Sequence, residues 1–457
     1  MIFGIFMLLI LWGGYRFVSS YWEHRVDINI HFQPQDLSQQ NVENFRFLSY
    51  RQAQMAQLGI LTSIQAFLGA VIGVFYGPLQ MLWIILGTLF LGGVINYLAG
   101  LYSVRNSGQT WICALRQKNE RIYGILCIFL IAVAIIGAAG VCLTTYYISF
   151  VSLSYSPVIY FYFAAMLFVA ICTQRRFNIL AMFAGGYFAF TTIYFVLFSL
   201  PELPNAMIHF DFATYPQIKF FYPMLFFSVC GVLSGMEALK CSLIAPAVKN
   251  EKMAKGIYFG SSALFAGLMI VWALILLAWN PDITLLAQSL YKFQYPYELI
   301  DSVLLVHFNR FSYAVFYIMI IMLCIGSGGV LLRVARQLVD ESGVFKRYSI
   351  EYVVVGLFIL MVLVYALLPG INYFEIINML VACLWLGFMA KQSSRKWLYA
   401  VIIAFLTGAC VAQVLLVDLQ STAITVISSG IAFSLLLLCA YYVYVKKFRD
   451  KIKICNE

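Results

Sequence analysis

Two charges stand inside an otherwise apolar run, Glu237 and Lys240 in FFYPMLFFSVCGVLSGMEALKCSLIAPA, residues 220–247. The run is long enough to cross a bilayer, where an ionisable group costs about 2.5–3.5 kcal/mol on insertion scales and so reads as functional by default. Two readings stand. Glu237 is a protonatable carboxylate that couples a proton to some other event, or the two residues, three apart on one helical face, pair at the inner edge of the span with Lys240 snorkelling to water. The same stretch carries Pro223, Gly231, Ser234 and Gly235, which interrupt a helix. A broken helix survives in hydrocarbon only where protein or a water-filled cavity satisfies the freed backbone groups.

Three further stretches carry polar or helix-breaking residues at depth. Residues 55–76 hold Gly59, Thr62, Ser63, Gln65 and Gly69. The segment CIGSGGVLLRVARQL places Ser327 among Gly326, Gly328 and Gly329, ahead of Arg333 and Arg336. These glycines either let another helix approach closely or open backbone carbonyls towards an ion, and the arginines mark the cytosolic exit of that span. In NYFEIINMLVACLWLGF, Glu375 and Asn378 share a face at i,i+3 spacing, and Glu375 is either protonatable or an interfacial residue reaching water. Hydroxyls and amides such as Asn96, Thr191, Thr192 and Ser228 suit hydrogen bonding to a small solute better than proton transfer.

Enzyme chemistry finds little support. The four histidines, His24, His31, His209 and His307, lie in or near loops without metal-ligand spacing, so no metal site is expected. No GxSxG, HExxH or GxxxxGK(S/T) occurs. The eleven cysteines lie mostly within apolar runs and lack CxxC spacing, so they read as small apolar fillers.

With 63% hydrophobic and 11% charged residues, and a mean hydropathy of +0.90, the chain reads as an all-α polytopic membrane protein. Apolar runs predict thirteen spans: 1–19, 55–76, 79–102, 123–150, 157–174, 178–200, 220–247, 256–279, 310–338, 351–369, 372–390, 398–417 and 422–446. Of the 29 Lys and Arg residues, 26 fall in or beside the connections after odd-numbered spans or in the tail. That alternation sets the N-terminus outside and the C-terminus in the cytoplasm. It also assigns the net charge of +10 to topology and anionic lipid rather than to nucleic acid.

Spans two to six and seven to eleven form two blocks of five, and because five is odd the second block enters the membrane upside down. Inverted five-helix repeats that each begin with a discontinuous helix are the LeuT-like, APC-type architecture. Spans two and seven would be those first helices, unless their glycines and serines serve close helix packing, which favours the same residues. The chain then divides into an N-terminal helix with a polar inner segment (1–54), a first repeat (55–200), an inverted second repeat (220–390), two accessory helices (398–446) and a basic cytoplasmic tail (447–457).

Over most of its length the sequence resembles the carbon starvation protein A (CstA) family. Gly14-Tyr15-Arg16-Phe17 resembles the family's start. Leu82-Trp83-Ile84, Gly87, Gly93-Val94, Ser103-Val104-Arg105 and Gly108 follow its LWI…G…GAV(H/Q)D…SxRxxG run. Pro223-Met224-Leu225-Phe226, Ser234-Gly235 and Ala238-Leu239 are similar to PMLF…CGAxSGFHxL, Asn378 falls in the place of ANQLLA, and Arg333 with Arg336 in that of LDTATRLxR. The chain departs where span two lacks the family's histidines and prolines, where Met236-Glu237 replaces Phe-His, where Ser327 to Leu332 replaces LDTAT, and where Met379 replaces Gln.

The resemblance implies a symporter in a bacterial cytoplasmic membrane that imports peptides, amino acids or small carboxylates such as pyruvate in the response to carbon starvation. Thr62, Ser63, Gln65, Gly231, Ser234, Gly235 and Asn378 would line a midplane site, and Glu237, Ser327 and Glu375 are the candidates for coupling to a proton or sodium ion. No organic cofactor is expected; the partners are the lipid bilayer and a small-molecule or peptide substrate. The clustered loss of polar motif residues leaves an alternative, a non-transporting relative that serves as a membrane sensor or scaffold.

Overall fold

The computed structural model describes residues 2–29, 48–64, 66–67, 80–116, 120–153, 158–203, 236–249, 251–279, 308–343 and 350–367. Spans eleven to thirteen, most of span seven, the tail, and Gln65, Gly231, Ser234, Gly235, Glu375 and Asn378 lie outside the described residues.

The described chain is almost entirely helical. It runs through α1 (Ile2–Asn29), α2 (Tyr50–Leu61), α3 (Gln80–Ile85), a π-helical segment (Leu86–Gly93), α4 (Val94–Arg105), α5 (Cys113–Arg116), α6 (Glu120–Leu153), α7 (Val158–Ile171) and α8 (Gln174–Phe198). After α9 (Glu237–Lys240) come two 3-10 turns (Cys241–Leu243 and Ala245–Ala247), α10 (Glu251–Ala254), a second π segment (Lys255–Phe259), α11 (Gly260–Trp279), α12 (Arg310–Ser342) and α13 (Ile350–Leu367). The apolar runs of spans four, five, six, eight, nine and ten coincide with α6, α7, α8, α11, α12 and α13 to within a few residues. Span one continues past residue 19 as helix to Asn29. Among the described residues, three helices are long and apolar enough to cross a membrane: Gln174–Phe198, Glu251–Trp279 and Arg310–Ser342.

Local chemistry sets the ends. A capping box opens α2: the Ser49 hydroxyl accepts from the Gln52 N–H at 3.4 Å, and Gln52 Oε1 accepts from the Ser49 N–H at 3.0 Å. Asn309 caps α12 by accepting from the Ser312 N–H at 2.8 Å, and Gly343, in the left-handed region at φ 66°, ends it. At 1.5 Å per residue the 33 residues of α12 exceed a hydrocarbon core of about 30 Å, so its last turns reach the membrane face.

Backbone-to-backbone contact organises the packing. Helix α2 lies on α8, and a Cβ on Gly59 would land on the Ala181 carbonyl while one on Gly185 would land on the Met55 carbonyl. Helix α12 packs on α6 and α7. A Cβ on Gly328 would stand 2.5 Å from Met166 Sδ, and one on Gly329 2.5 Å from Val169 Cβ. Of the two readings of the span-nine glycines, these two positions follow helix packing, as expected where small residues let helices close. We expect Gly59→Ala to destabilise the protein by about 1–3 kcal/mol through overpacking, read as earlier thermal unfolding of the purified protein. Gly186→Ala, which meets nothing within 4 Å, should leave the melt unchanged; equal melting of the two variants would refute the close crossing.

Candidate functional site

Helix α2 stops in the middle of the predicted second span. Thr62 turns extended at φ −66°, ψ 110°, and helical turns resume beyond Ser63. Three hydroxyls serve the groups the break sets free. Thr62 Oγ1 donates to the Gly59 carbonyl at 3.0 Å. Ser63 Oγ accepts from the Ala66 N–H at 3.1 Å, as an N-cap does, while the Ser63 carbonyl accepts from the Phe67 N–H at 3.0 Å. The Ile64 N–H, an orphan donor of the new turn, is taken by Ser327 Oγ at 2.9 Å, and that hydroxyl donates to the Leu323 carbonyl at 2.5 Å. All four residues at this junction, Thr62, Ser63, Ile64 and Ser327, are buried. The structure thus brings together Thr62, Ser63 and Ser327, which sequence spacing had only grouped by type.

Glu237 and Lys240 pair, with Nζ donating to Oε1 at 2.6 Å. Their side chains are only 5% and 3% exposed, so the pair sits inside the protein rather than snorkelling at the membrane edge. Helix α9 packs against α2, α4 and α12, which encloses it. Among the described residues, Glu237 Oε2 has no hydrogen-bond partner, and neither do Gln57 Oε1 and Tyr258 OH. Gln57 Nε2 donates to Cys241 Sγ at 3.5 Å, tying α2 to the turn after α9. Thr192 is spent between helices, whereas Asn96 uses its amide N–H but keeps Oδ1 without a partner among the described residues. Asn96 donates to Ser262 Oγ at 3.0 Å, and Thr192 Oγ1 accepts from Trp272 Nε1 at 2.9 Å.

Arg333 and Arg336 have a definite task. Their guanidinium groups donate to the carbonyls that end α7: Arg333 to Val169 at 3.2 Å and Cys172 at 2.8 Å, Arg336 to Ala170 at 3.1 Å. Cations there match the negative end of the helix dipole. Arg333 also lies 4.3 Å over the Phe177 ring and donates to Gln174 Oε1 at 3.0 Å.

Near the end of α12, a cluster that sequence reading missed surrounds Glu341. Its carboxylate accepts from the Thr110 N–H at 2.9 Å, the Thr110 hydroxyl, the Cys113 thiol at 3.2 Å and Gln337 Nε2 at 2.8 Å. Burial, and then the charge and hydrogen bond of Glu341, push the Cys113 thiol up to about 12. The only sequence signal was the i,i+4 spacing of Gln337 and Glu341; their other partners lie 95 to 231 residues away.

No family model matches the chain. An uncharacterised membrane protein of Haemophilus influenzae is 20% identical over 275 residues, which covers 47% of this chain and 74% of that protein. Solved structures are similar in fold at low identity. The Eremococcus coleocola manganese transporter, in complex with an aromatic bis-isothiourea substituted compound, matches with a TM-score of 0.55 and 12% identity over 87% of this chain and 95% of its own. MhsT in complex with L-phenylalanine matches with a TM-score of 0.55 and 12% identity over 87% and 99%. Mhp1, a nucleobase-cation-symport-1 family transporter with bromovinylhydantoin bound, matches with a TM-score of 0.50 and 15% identity over 89% and 96%. The likeness shows a helical fold shared with these transporters.

The enclosed ion pair gives a direct test. Lys240→Met strands a buried carboxylate and should cost about 3–5 kcal/mol of stability, whereas Glu237→Gln with Lys240→Met should recover much of it. Thermal unfolding of both variants in detergent checks this, and equal loss in the two would show that the pair is not coupled.

Proposed function

We propose that the chain is a secondary active transporter of a bacterial cytoplasmic membrane, related to the CstA family. The observation that carries this reading is the Ile64–Ser327 bond: a span broken at depth has its first free N–H held by a hydroxyl from a distant helix. The similarity of fold to secondary transporters supports it. On this reading the thirteen spans contain two inverted five-helix repeats, spans two and seven are their discontinuous first helices, and the C-terminus is cytoplasmic.

The substrate is a peptide, an amino acid or a small carboxylate such as pyruvate, taken up when carbon is scarce. Its anionic group meets the half-helix N-terminus that begins at Ser63, where the helix dipole favours negative charge. Thr62, Ser63 and Gln65 line one side, and Gly231, Ser234, Gly235 and Asn378 the other. A coupling cation that reached the break would compete with the Ile64 N–H for the Ser327 oxygen, which links ion binding to the geometry of span two. If the coupling ion is a proton, Glu237, whose Oε2 has no partner among the described residues, or Glu375 carries it.

One observation favours the rival reading, a non-transporting sensor or scaffold. Phe67, just beyond the break, is fully buried, with ring centroids 5.2 Å from Trp272, 6.3 Å from Phe316 and 6.5 Å from Phe188.

Purified protein in vesicles should take up one class among labelled pyruvate, amino acids and di- and tripeptides when a proton or sodium gradient is imposed. Ser327→Ala should slow that uptake, and Glu237→Gln should remove its pH dependence if Glu237 carries the proton. Failure to take up the whole panel by folded, correctly oriented protein would overturn the transporter reading in favour of the rival.

A further inference from the structure

The turn after α9 is gripped from both sides by side chains tied to α12. On one side, Arg333 donates to Gln174 Oε1 at 3.0 Å, and Gln174 Nε2 donates to the Leu243 carbonyl at 2.6 Å. On the other, the Ser242 hydroxyl has two acceptors in reach, the Leu239 carbonyl at 2.6 Å and Gln337 Oε1 at 2.9 Å. The amide of Gln337 is used fully. While its oxygen faces Ser242, Nε2 donates to the Gly108 carbonyl at 2.7 Å and to Glu341 Oε1 at 2.8 Å.

Gly108 belongs to the connection between spans three and four, which crosses the end of span seven. Ser107 and Gly108 both take left-handed backbone, at φ 52° and 87°, and a Cβ on Gly108 would stand 2.6 Å from the Pro246 ring. Thr110 then anchors the far side of the connection on Glu341. A connection held by side-chain bonds at both of its neighbours, with a non-glycine residue in a conformation that costs energy, is over-determined by its surroundings.

We propose that residues 106–113 form a strap that holds the inner end of span seven closed against α12, with Gln337 as its pin. Release of the pin frees Ser242 from α12 and the strap, leaves the Gln174–Leu243 bond as the remaining tie, and lets the Ser242 side of that end swing away from α2 about it. The proposal rests on the transporter reading for its orientation and use, since the strapped face is the cytosolic one only on that topology.

Cys241 reports the opening. Its thiol is fully buried between Gln57 and the strapped turn, one residue before Ser242. N-ethylmaleimide is added to protein in lipid nanodiscs, without any solute, and labelling of each cysteine is timed by mass spectrometry. Gln337→Met keeps the bulk and loses the hydrogen bonds, so Cys241 should react about tenfold faster, as expected when a local opening is relieved of one or two such bonds. Ser242→Ala should shift it the same way by less. Cys324, buried in the middle of α12, should keep its rate. An unchanged Cys241 in both variants overturns the strap, and so does a rise of Cys241 and Cys324 together, which marks general loosening. Faster Cys241 in a protein that takes up none of the panel would support the strap and sink the transporter reading. Unchanged Cys241 beside intact uptake would do the reverse.

Discussion

Every backbone N–H and C=O placed in hydrocarbon must find a partner inside the protein, and the rest of this structure follows from how span two meets that demand. The helix stops at Leu61, and the groups it releases are taken up by Thr62, Ser63 and Ser327. Only the third comes from far away, so the break is stable only if α12 is held within hydrogen-bonding distance of Ile64. Gly328 and Gly329 let α12 close on α7, and Gly59 with Gly185 seats α2 on α8. The same demand recurs at the end of α7, whose carbonyls have no next turn and are met by Arg333 and Arg336.

The polar groups divide by what they serve. Trp272 and Trp279 pack their rings among Phe67, Phe195, Phe198 and Phe316, and hand their indole N–H groups to Thr192 on α8 and to Ser199 just past its end. These bonds lock packed helices. The set around Glu237, Gln57 and Tyr258 differs, because each keeps an oxygen without a partner among the described residues. In a low-dielectric interior such groups favour any rearrangement or guest that satisfies them. They cluster where α2 meets the end of span seven.

Much of the helical frame was legible from hydropathy alone, since a span must be long and apolar whatever its neighbours. The positions of α6 to α8 and α11 to α13 followed from that rule. For span two, Gly59, Thr62 and Ser63 crowded at mid-depth left interruption and close packing both open; the structure uses Gly59 for packing on α8 and places the break at Thr62 and Ser63. Other readings stayed open in the sequence because residue type does not reveal a partner. Glu237 and Lys240 at i,i+3 spacing fit an exposed pair as well as a buried one, and only the enclosure by α2, α4 and α12 decides for burial. Gln57, Ser242, Gln337 and Glu341 gave almost no signal, because each meets a partner contributed by a distant part of the chain.

By itself the sequence determined that this is a helical membrane protein and roughly where its described long helices lie, and it marked span two as either interrupted or closely packed. Those properties come from the cost of polar surface in hydrocarbon and from local backbone preference, which each segment carries alone. Tertiary structure alone decided that Ser327 serves the break, that the span-nine arginines end α7, and that Gln337 joins the turn after α9 to the connection 106–113. A hydrogen bond depends on two groups reaching one place, and that place exists only once the helices have packed.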